Sequence, residues 1–325
     1  MMDRRVFIAG SAILFLAPGA VAAQSERIWR IGYLSERSVE KSQMAAFRQG
    51  LRELGYVEGQ NLVIEERYAR QQAEKLPALA AELVRLPVDV AVVRGTPAID
   101  AVQKAHPTLP IVMTVHADPV GTGLVASLAR PGGRVTGLTD GHADLAPKRL
   151  ELLKEAVPWI SRIAALFNPA TPHAVRQLEH IQAAALERTL TILPIEVKGP
   201  RDIDDALVAA REGRADAVFI IPDPSWSGGQ SQRLANSALK QRLPMIGTTR
   251  PTAEAGMLMA YGTDFDRLWH RAATYVDKIL KGADPGELPI EHPTKFDLVV
   301  NLKTAQRLGL SIPPSVLLRA DHVIK

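Results

Sequence analysis

The chain has 325 residues, 46% of them apolar and 23% charged, with a formal net charge of +4 at pH 7 and no cysteine. That balance supports a globular core, and because Lys and Arg are interspersed with Asp and Glu without long runs it excludes a nucleic-acid binder. Disulfides, thiolate metal sites and a lipid-modified N-terminal Cys are excluded with the cysteine.

The first 23 residues, MMDRRVFIAGSAILFLAPGAVAA, read as an export signal. Arg4 and Arg5 form a basic start, and Val6 to Ala17 is an apolar run that falls short of the roughly 20 residues a membrane-spanning helix needs. Ala20-Val21-Ala22 then supplies small residues for cleavage. Arg4-Arg5-Val6-Phe7 also has the look of a twin-arginine signal, while Asp3 and Ala9 depart from that motif, so both export routes stay open. The leader carries one net positive charge, leaving +3 on the remainder. No later stretch is long and apolar enough for a membrane span. The expected product is a soluble periplasmic monomer of about 300 residues, a two-domain length.

Beyond the leader, one rhythm repeats. Short runs rich in β-branched residues fall at 29–35, 61–69, 88–95, 110–117, 134–140, 162–169, 191–197, 215–223, 244–249, 257–264 and 296–301. Amphipathic stretches separate them. In 42–55, Met44, Phe47, Leu51 and Leu54 make one stripe that stops at Gly55. Nearly continuous apolar strands alternating with helices predict parallel sheets covered on both faces, an α/β class. Four β-α units precede the region of residue 138 and four follow, so the chain reads as two doubly wound lobes. The segments 134–140 and 257–264 are the expected crossings, with Gly137, Gly141 and Gly262 to absorb dihedral change.

Gly121-Thr-Gly123-Leu-Val-Ala126 fits the G-x-G-x-x-A form of a dinucleotide fingerprint. Its surroundings argue otherwise. Asp118-Pro119-Val120 separates the strand from the first glycine, and Asp118 places a carboxylate where a phosphate would sit. The helix expected over 123–130 is cut short by Pro131-Gly132-Gly133. These features predict that Asp118 caps that helix and that the glycines pack it against the sheet, with no cofactor implied.

Several separated segments carry a resemblance. DPVGTGLVASLARPGGRVTGLT (118–139), VRGTPA (93–98), ALFNPATP (165–172), IIPDP (220–224) and the tail PTKFDLVVNLKTAQRLGLSIPPSVLLRADHVI (293–324) are similar to the tryptophan-type substrate-binding proteins of ABC transporters. The resemblance extends to residues 46–61 and 260–282 and so covers almost the whole mature chain. It implies a type I periplasmic-binding fold: two Rossmann-like lobes joined by a multi-strand hinge, at about 27–137 with 264–289 and 138–263 with 290–325. It also implies capture of a small solute, an amino acid, aromatic or organic acid, and delivery to a permease with its ATPase.

In open α/β sheets ligands sit beyond the carboxyl ends of the strands. The candidate ligand-binding residues there are Tyr33, Ser35, Tyr68, Arg94, Thr96 and Asp118 in the first half, and Asn168, Asp223, Trp226 and Tyr261 in the second. Hydroxyls of Ser35 and Thr96 and helix-start N–H groups suit a carboxylate, Asp118 or Asp223 an ammonium, and the aromatic rings the walls. Each has a plainer reading: Ser35, Thr96 and Asp118 as helix caps, Asn168-Pro169 and Asp223-Pro224 as turns, Tyr33 as core. Arg94 is the oddity, a guanidinium ending the apolar strand VDVAVV where the family pattern more often has a small or uncharged residue.

Two other readings remain open on the sequence: a binding protein serving a membrane sensor, and a periplasmic α/β enzyme. Against an enzyme, there is no G-x-S-x-G elbow and no Cys nucleophile. His116-Ala-Asp118 and Asp140-Gly-His142 have residue types that hold metals, without a spacing that carries meaning.

Overall fold

Alternation along β1 (Trp29–Ser35) sets up the first sheet: Ile31 and Tyr33 face one layer of core while Leu34 faces the other, all fully buried. The computed structural model of the protein describes residues 27–37, 41–116, 118–141, 145–223 and 229–325. The leader and Trp226 lie outside them.

Strands β2 (Leu62–Tyr68), β3 (Val90–Arg94), β4 (Ile111–Val115) and β5 (Val135–Gly137) join β1 in a five-stranded parallel sheet of order β2-β1-β3-β4-β5. Helix α1 (Lys41–Glu53) covers one face; α2 (Leu76–Val84) and α3 (Thr96–Ala105) cover the other. Gly95, at φ 90°, precedes α3 as its cap, so Thr96 is the first helical residue and not the cap the sequence suggested.

The second sheet holds β6 (Arg162–Phe167), β7 (Thr191–Glu196), β8 (Ala217–Ile220), β9 (Met245–Gly247), β10 (Met259–Thr263), β11 (Phe296–Asn301) and β12 (His322–Ile324). Its order is β12-β11-β10-β9-β8-β6-β7, parallel except between β10 and β11. Pro194 sits in β7 at the sheet edge, where a missing N–H is tolerated. Helices α4 (Ala146–Ala156), α5 (Pro172–Leu186), α6 (Ile203–Glu212), α7 (Gly229–Lys240) and α8 (Arg250–Glu254) belong to this half. Then α9 (Phe265–Leu280) leaves it and packs on α1, before α10 (Leu302–Leu308) and α11 (Pro314–Leu317) close the chain on the second sheet.

The chain therefore passes between the sheets three times, and the passages bond to one another. Thr263 Oγ1 donates to the Asp140 carbonyl at 2.6 Å. Thr139 N–H donates to the Glu291 carbonyl at 3.0 Å, and Glu291 N–H to Gly137 at 3.0 Å. Gly137 takes φ 126°, and a Cβ there would meet the Met113 carbonyl at 2.2 Å. Arg149 of α4 is fully buried beneath the passages and gives Nε–H to the Tyr261 carbonyl at 2.8 Å. Burial brings its guanidinium down to about 10, with Asp140 pulling the other way.

The helix expected over 123–130 does not form. Gly123 adopts φ 72°, and the segment folds into turns, with Leu124 N–H on the Pro119 carbonyl and Ala126 N–H on Pro131. Val125 is buried and Leu124 and Leu128 half-buried against the α2–α3 layer, so irregular backbone places the apolar side chains that a helix was expected to place. Gly123 has open space around it, so the glycines serve the turns and not close packing on the sheet.

Gly50 does require closeness: a Cβ there would lie 2.6 Å from the His270 carbonyl and 2.9 Å from Ala273 Cβ, across the α1–α9 contact. Gly50→Ala gains about 1 kcal/mol of helix propensity and loses about 1–3 kcal/mol to overpacking. A net fall in the urea midpoint is expected; a rise would show that α9 shifts freely on α1.

Candidate functional site

All strands of the first sheet are parallel, so their carboxyl ends collect residues from β1 to β4 at one edge. Register puts Ser35 beside Tyr68 on one side and Arg94 on the other. Tyr33 lies one layer below, fully buried, its ring 5.6 Å from Tyr68 and 5.5 Å from Trp269. Burial pushes its phenol up; Ser35 is near enough to oppose this slightly, yet no hydrogen bond of good geometry closes between them. Tyr33 supports the floor of the edge. Tyr68 donates its hydroxyl to Glu66, which also accepts from Arg48 at 2.5 Å; burial first, then Glu66, raises the Tyr68 phenol.

Ser35 is buried and its Oγ accepts the Arg37 N–H at 3.2 Å, turning the chain at the end of β1. The Arg94 guanidinium stands 6.0 Å from the Phe265 ring centroid, with Nη1 3.4 Å from Gln43 Oε1. Arg37 joins it at this edge. Burial first, then Arg94, brings the Arg37 guanidinium down to about 10, against the pull of Glu36 and of Asp223 from the other sheet.

Thr96 Oγ1 lies 2.9 Å from His116 Nε2, and the Asp118 N–H reaches His116 Nδ1 at 3.1 Å. The Asp118 carboxylate accepts the Gly121 N–H at 2.7 Å, capping a turn where a helix was expected. It also lies 3.9 Å from Arg176 Nη2 of α5, an ion pair that crosses from the first half to the second.

On the second half, Asn168 Oδ1 accepts the Ala170 N–H at 3.0 Å, which is the turn role of an Asn-Pro step. Asp223, buried at the end of β8, accepts the Thr171 hydroxyl at 2.7 Å. Tyr261 faces Phe296 with ring centroids 6.0 Å apart and packs on the second core. Thus Ser35, Tyr68, Arg94, Thr96 and Asp118 share one edge; Asp118 meets Arg176 across the gap, while Asp223 bonds Thr171 on its own side and its charge reaches Arg37. Arg37, Gln43, His116, Thr171 and Phe265 complete this region. Of these, only His116 stood out in the sequence, as a metal candidate, and among the described residues no group of three or more His, Cys, Asp or Glu is placed to hold a metal ion. The other four sit in loops and helix starts with no local signal.

One surface groove lies away from this edge, at the amino ends of the first sheet by Trp29, Asp89 and Arg134, and another runs along α1 by Arg48 and reaches the edge at Tyr68. Polar convergence, and not groove size, marks the site.

The family model for ABC transporter substrate binding proteins matches residues 33–324. The chain belongs to that family. It is a substrate-binding protein and not an enzyme, and its fold is the type I periplasmic-binding fold. A conserved domain protein from Vibrio cholerae O1 biovar El Tor is 30% identical, with a TM-score of 0.82 over 91% of this chain and 100% of that one. The ABC domain in complex with L-Trp from Streptococcus pneumoniae is 28% identical, with a TM-score of 0.83 over the same shares. A tyrosine-binding protein of Clostridioides difficile (strain R20291) is 24% identical over 264 residues, 81% of this chain and 75% of that protein. No described helix of this substrate-binding protein is long and apolar enough to cross a membrane.

Both partners of the Asp118–Arg176 pair are about half exposed, which limits their coupling to about 1 kcal/mol or less. A double-mutant cycle on Asp118→Ala and Arg176→Ala, read by urea unfolding, should give a favourable coupling below that value that shrinks as salt is added. Zero coupling at low salt would mean the halves are not held together here in solution.

Proposed function

We propose that this protein is the exported, periplasmic solute-binding component of an ABC importer. It traps a small carboxylated solute, an aromatic amino acid or related organic acid, between two lobes. The lobes are residues 27–137 with 264–289, and 138–263 with 290–325. The observation that carries the solute class is Arg94: a guanidinium at the end of β3, level with Ser35, beside Thr96 and over Phe265, at the edge that faces Asp223. Guanidinium and hydroxyl donors suit a carboxylate, and Tyr68 and Phe265 suit an apolar or aromatic body. The printed ligands of two relatives, L-Trp and tyrosine, support the same class.

The mechanism follows from which half holds what. The carboxylate docks on Arg94 and Thr96 of one lobe, and closure brings Asp223, Thr171 and the other lobe's surface onto the solute. Because only the closed form contacts the solute from both sides, binding shifts the population towards it. The closed pair of lobes is then the form handed to the permease and its ATPase. Ser35 and Asn168 shape the turns that present these groups, Asp118 ties the lobes through Arg176, and Tyr33 supports Tyr68 from below.

A refolded, ligand-stripped preparation should show a raised melting temperature with L-tryptophan, L-tyrosine or an aromatic acid. Solute at 100 times its dissociation constant adds about 2.7 kcal/mol. Arg94→Ala should weaken that binding about 10- to 100-fold, the loss of a hydrogen bond to a charged group, with an unchanged melting temperature in the absence of solute. No stabilisation by any carboxylated aromatic would remove this solute class.

A further inference from the structure

The arrangement around His116 fixes where its protons are. A backbone amide can only donate, so the Asp118 N–H at 3.1 Å requires a lone pair on His116 Nδ1. A neutral imidazole with no proton on Nδ1 carries it on Nε2. Nε2 lies 2.9 Å from Thr96 Oγ1, so the imidazole donates there and the threonine accepts. His116 is buried, and its carbonyl takes the Asp140 N–H at 3.2 Å, which ties it to the passage between the sheets.

This leaves the Thr96 hydroxyl with its own proton still to give. In a helix interior that proton goes back to a carbonyl one turn earlier. Thr96 is the first residue of α3, preceded by Gly95 and the end of β3, and has no earlier turn to bond. Its side chain is half-buried, two residues beyond Arg94 at the end of β3, whose guanidinium can only donate.

We infer that His116 is a positioning residue for solute recognition: by giving its Nε2–H to Thr96 it makes that hydroxyl a donor, so that Thr96 joins Arg94 in offering protons to a solute carboxylate. With the proton on Nδ1 instead, Thr96 would spend its own proton on Nε2 and present lone pairs. This rests on the solute site proposed above, but half of its test needs no solute.

The first arm is a long-range proton–nitrogen correlation spectrum of the full chain labelled with nitrogen-15 in histidine, with His116 assigned by comparison with H116Q. The expected signature is a neutral ring protonated on Nε2. A ring protonated on Nδ1, or on both nitrogens, at neutral pH overturns the inference whatever the protein binds. The second arm is calorimetric binding of L-tryptophan and of tryptamine, which lacks the carboxylate. T96V and H116L should each weaken L-tryptophan about 10- to 100-fold, the double variant should be no weaker than either, and H116Q, whose amide N–H can replace Nε2–H, should recover part of the loss. Tryptamine should bind far more weakly than L-tryptophan to the unmodified chain. Additive losses, or H116L binding as tightly as the unmodified chain, would also overturn it. If neither L-tryptophan nor L-tyrosine binds at all, the proposed solute falls, and the spectrum still decides the His116 assignment.

Discussion

Three passages of backbone between two parallel sheets, hydrogen-bonded to one another, are the constraint on which the rest of this structure depends. Residues 137–141, 263–265 and 289–293 lie side by side, held by Thr263 on the Asp140 carbonyl and by the paired exchange of Thr139, Gly137 and Glu291. Three passages bonded side by side resist twisting more than a single linker does. Arg149 anchors them from the second half: a buried guanidinium is costly to desolvate, and this one is turned towards the Tyr261 carbonyl and Asp140. Arg271 steadies the third passage by a bidentate pair with Glu291, which draws that carboxyl below its usual range.

With the passages fixed, parallel sheet topology decides what the halves show each other. Every strand of the first sheet runs the same way, so the candidate side chains at the ends of β1 to β3 gather at one edge without a long loop to assemble them. The return of α9 onto α1 adds Phe265 and Trp269 from a distant part of the chain, giving the edge its aromatic backing. The carboxylates nearby have partners of their own: Glu66 with Arg48 and Tyr68, Asp118 with Gly121 and Arg176, Asp223 with Thr171. Glu36 stands beside Gly95, between Arg94 and Thr96, and its charge acts on Arg37.

The glycine-rich stretch after β4 shows how a local pattern misleads when burial is left out. Gly121 and Gly123 have the spacing of a phosphate-binding loop, and the short run after them has enough apolar residues for a helix. The structure instead spends Gly123 on a left-handed turn and lets irregular backbone carry Val125 into the core. Leu128 then offers its carbonyl to Ile290 N–H, at the third passage. The stretch is a brace between the first lobe's core and the hinge.

The sequence by itself determined the α/β class and the strands β1 to β11, because nearly continuous apolar runs between amphipathic stretches have few other ways to bury themselves; the family came from the resemblance of separated motifs such as 93–98, 118–139 and 293–324. It also named Arg94, since a charge ending an apolar strand is visible without coordinates. It missed β12, whose three residues carry no pattern, and it placed a helix at 123–130 where apolar spacing alone could not tell helix from buried turns. Only tertiary structure could bring His116 to Thr96, Asp118 to Arg176 and Arg37 towards Asp223, because each of these joins residues on different elements and depends on parallel register and on the passages between sheets. Hydrogen bonding then adds what composition never does: which ring nitrogen of His116 accepts, and so which one carries the proton.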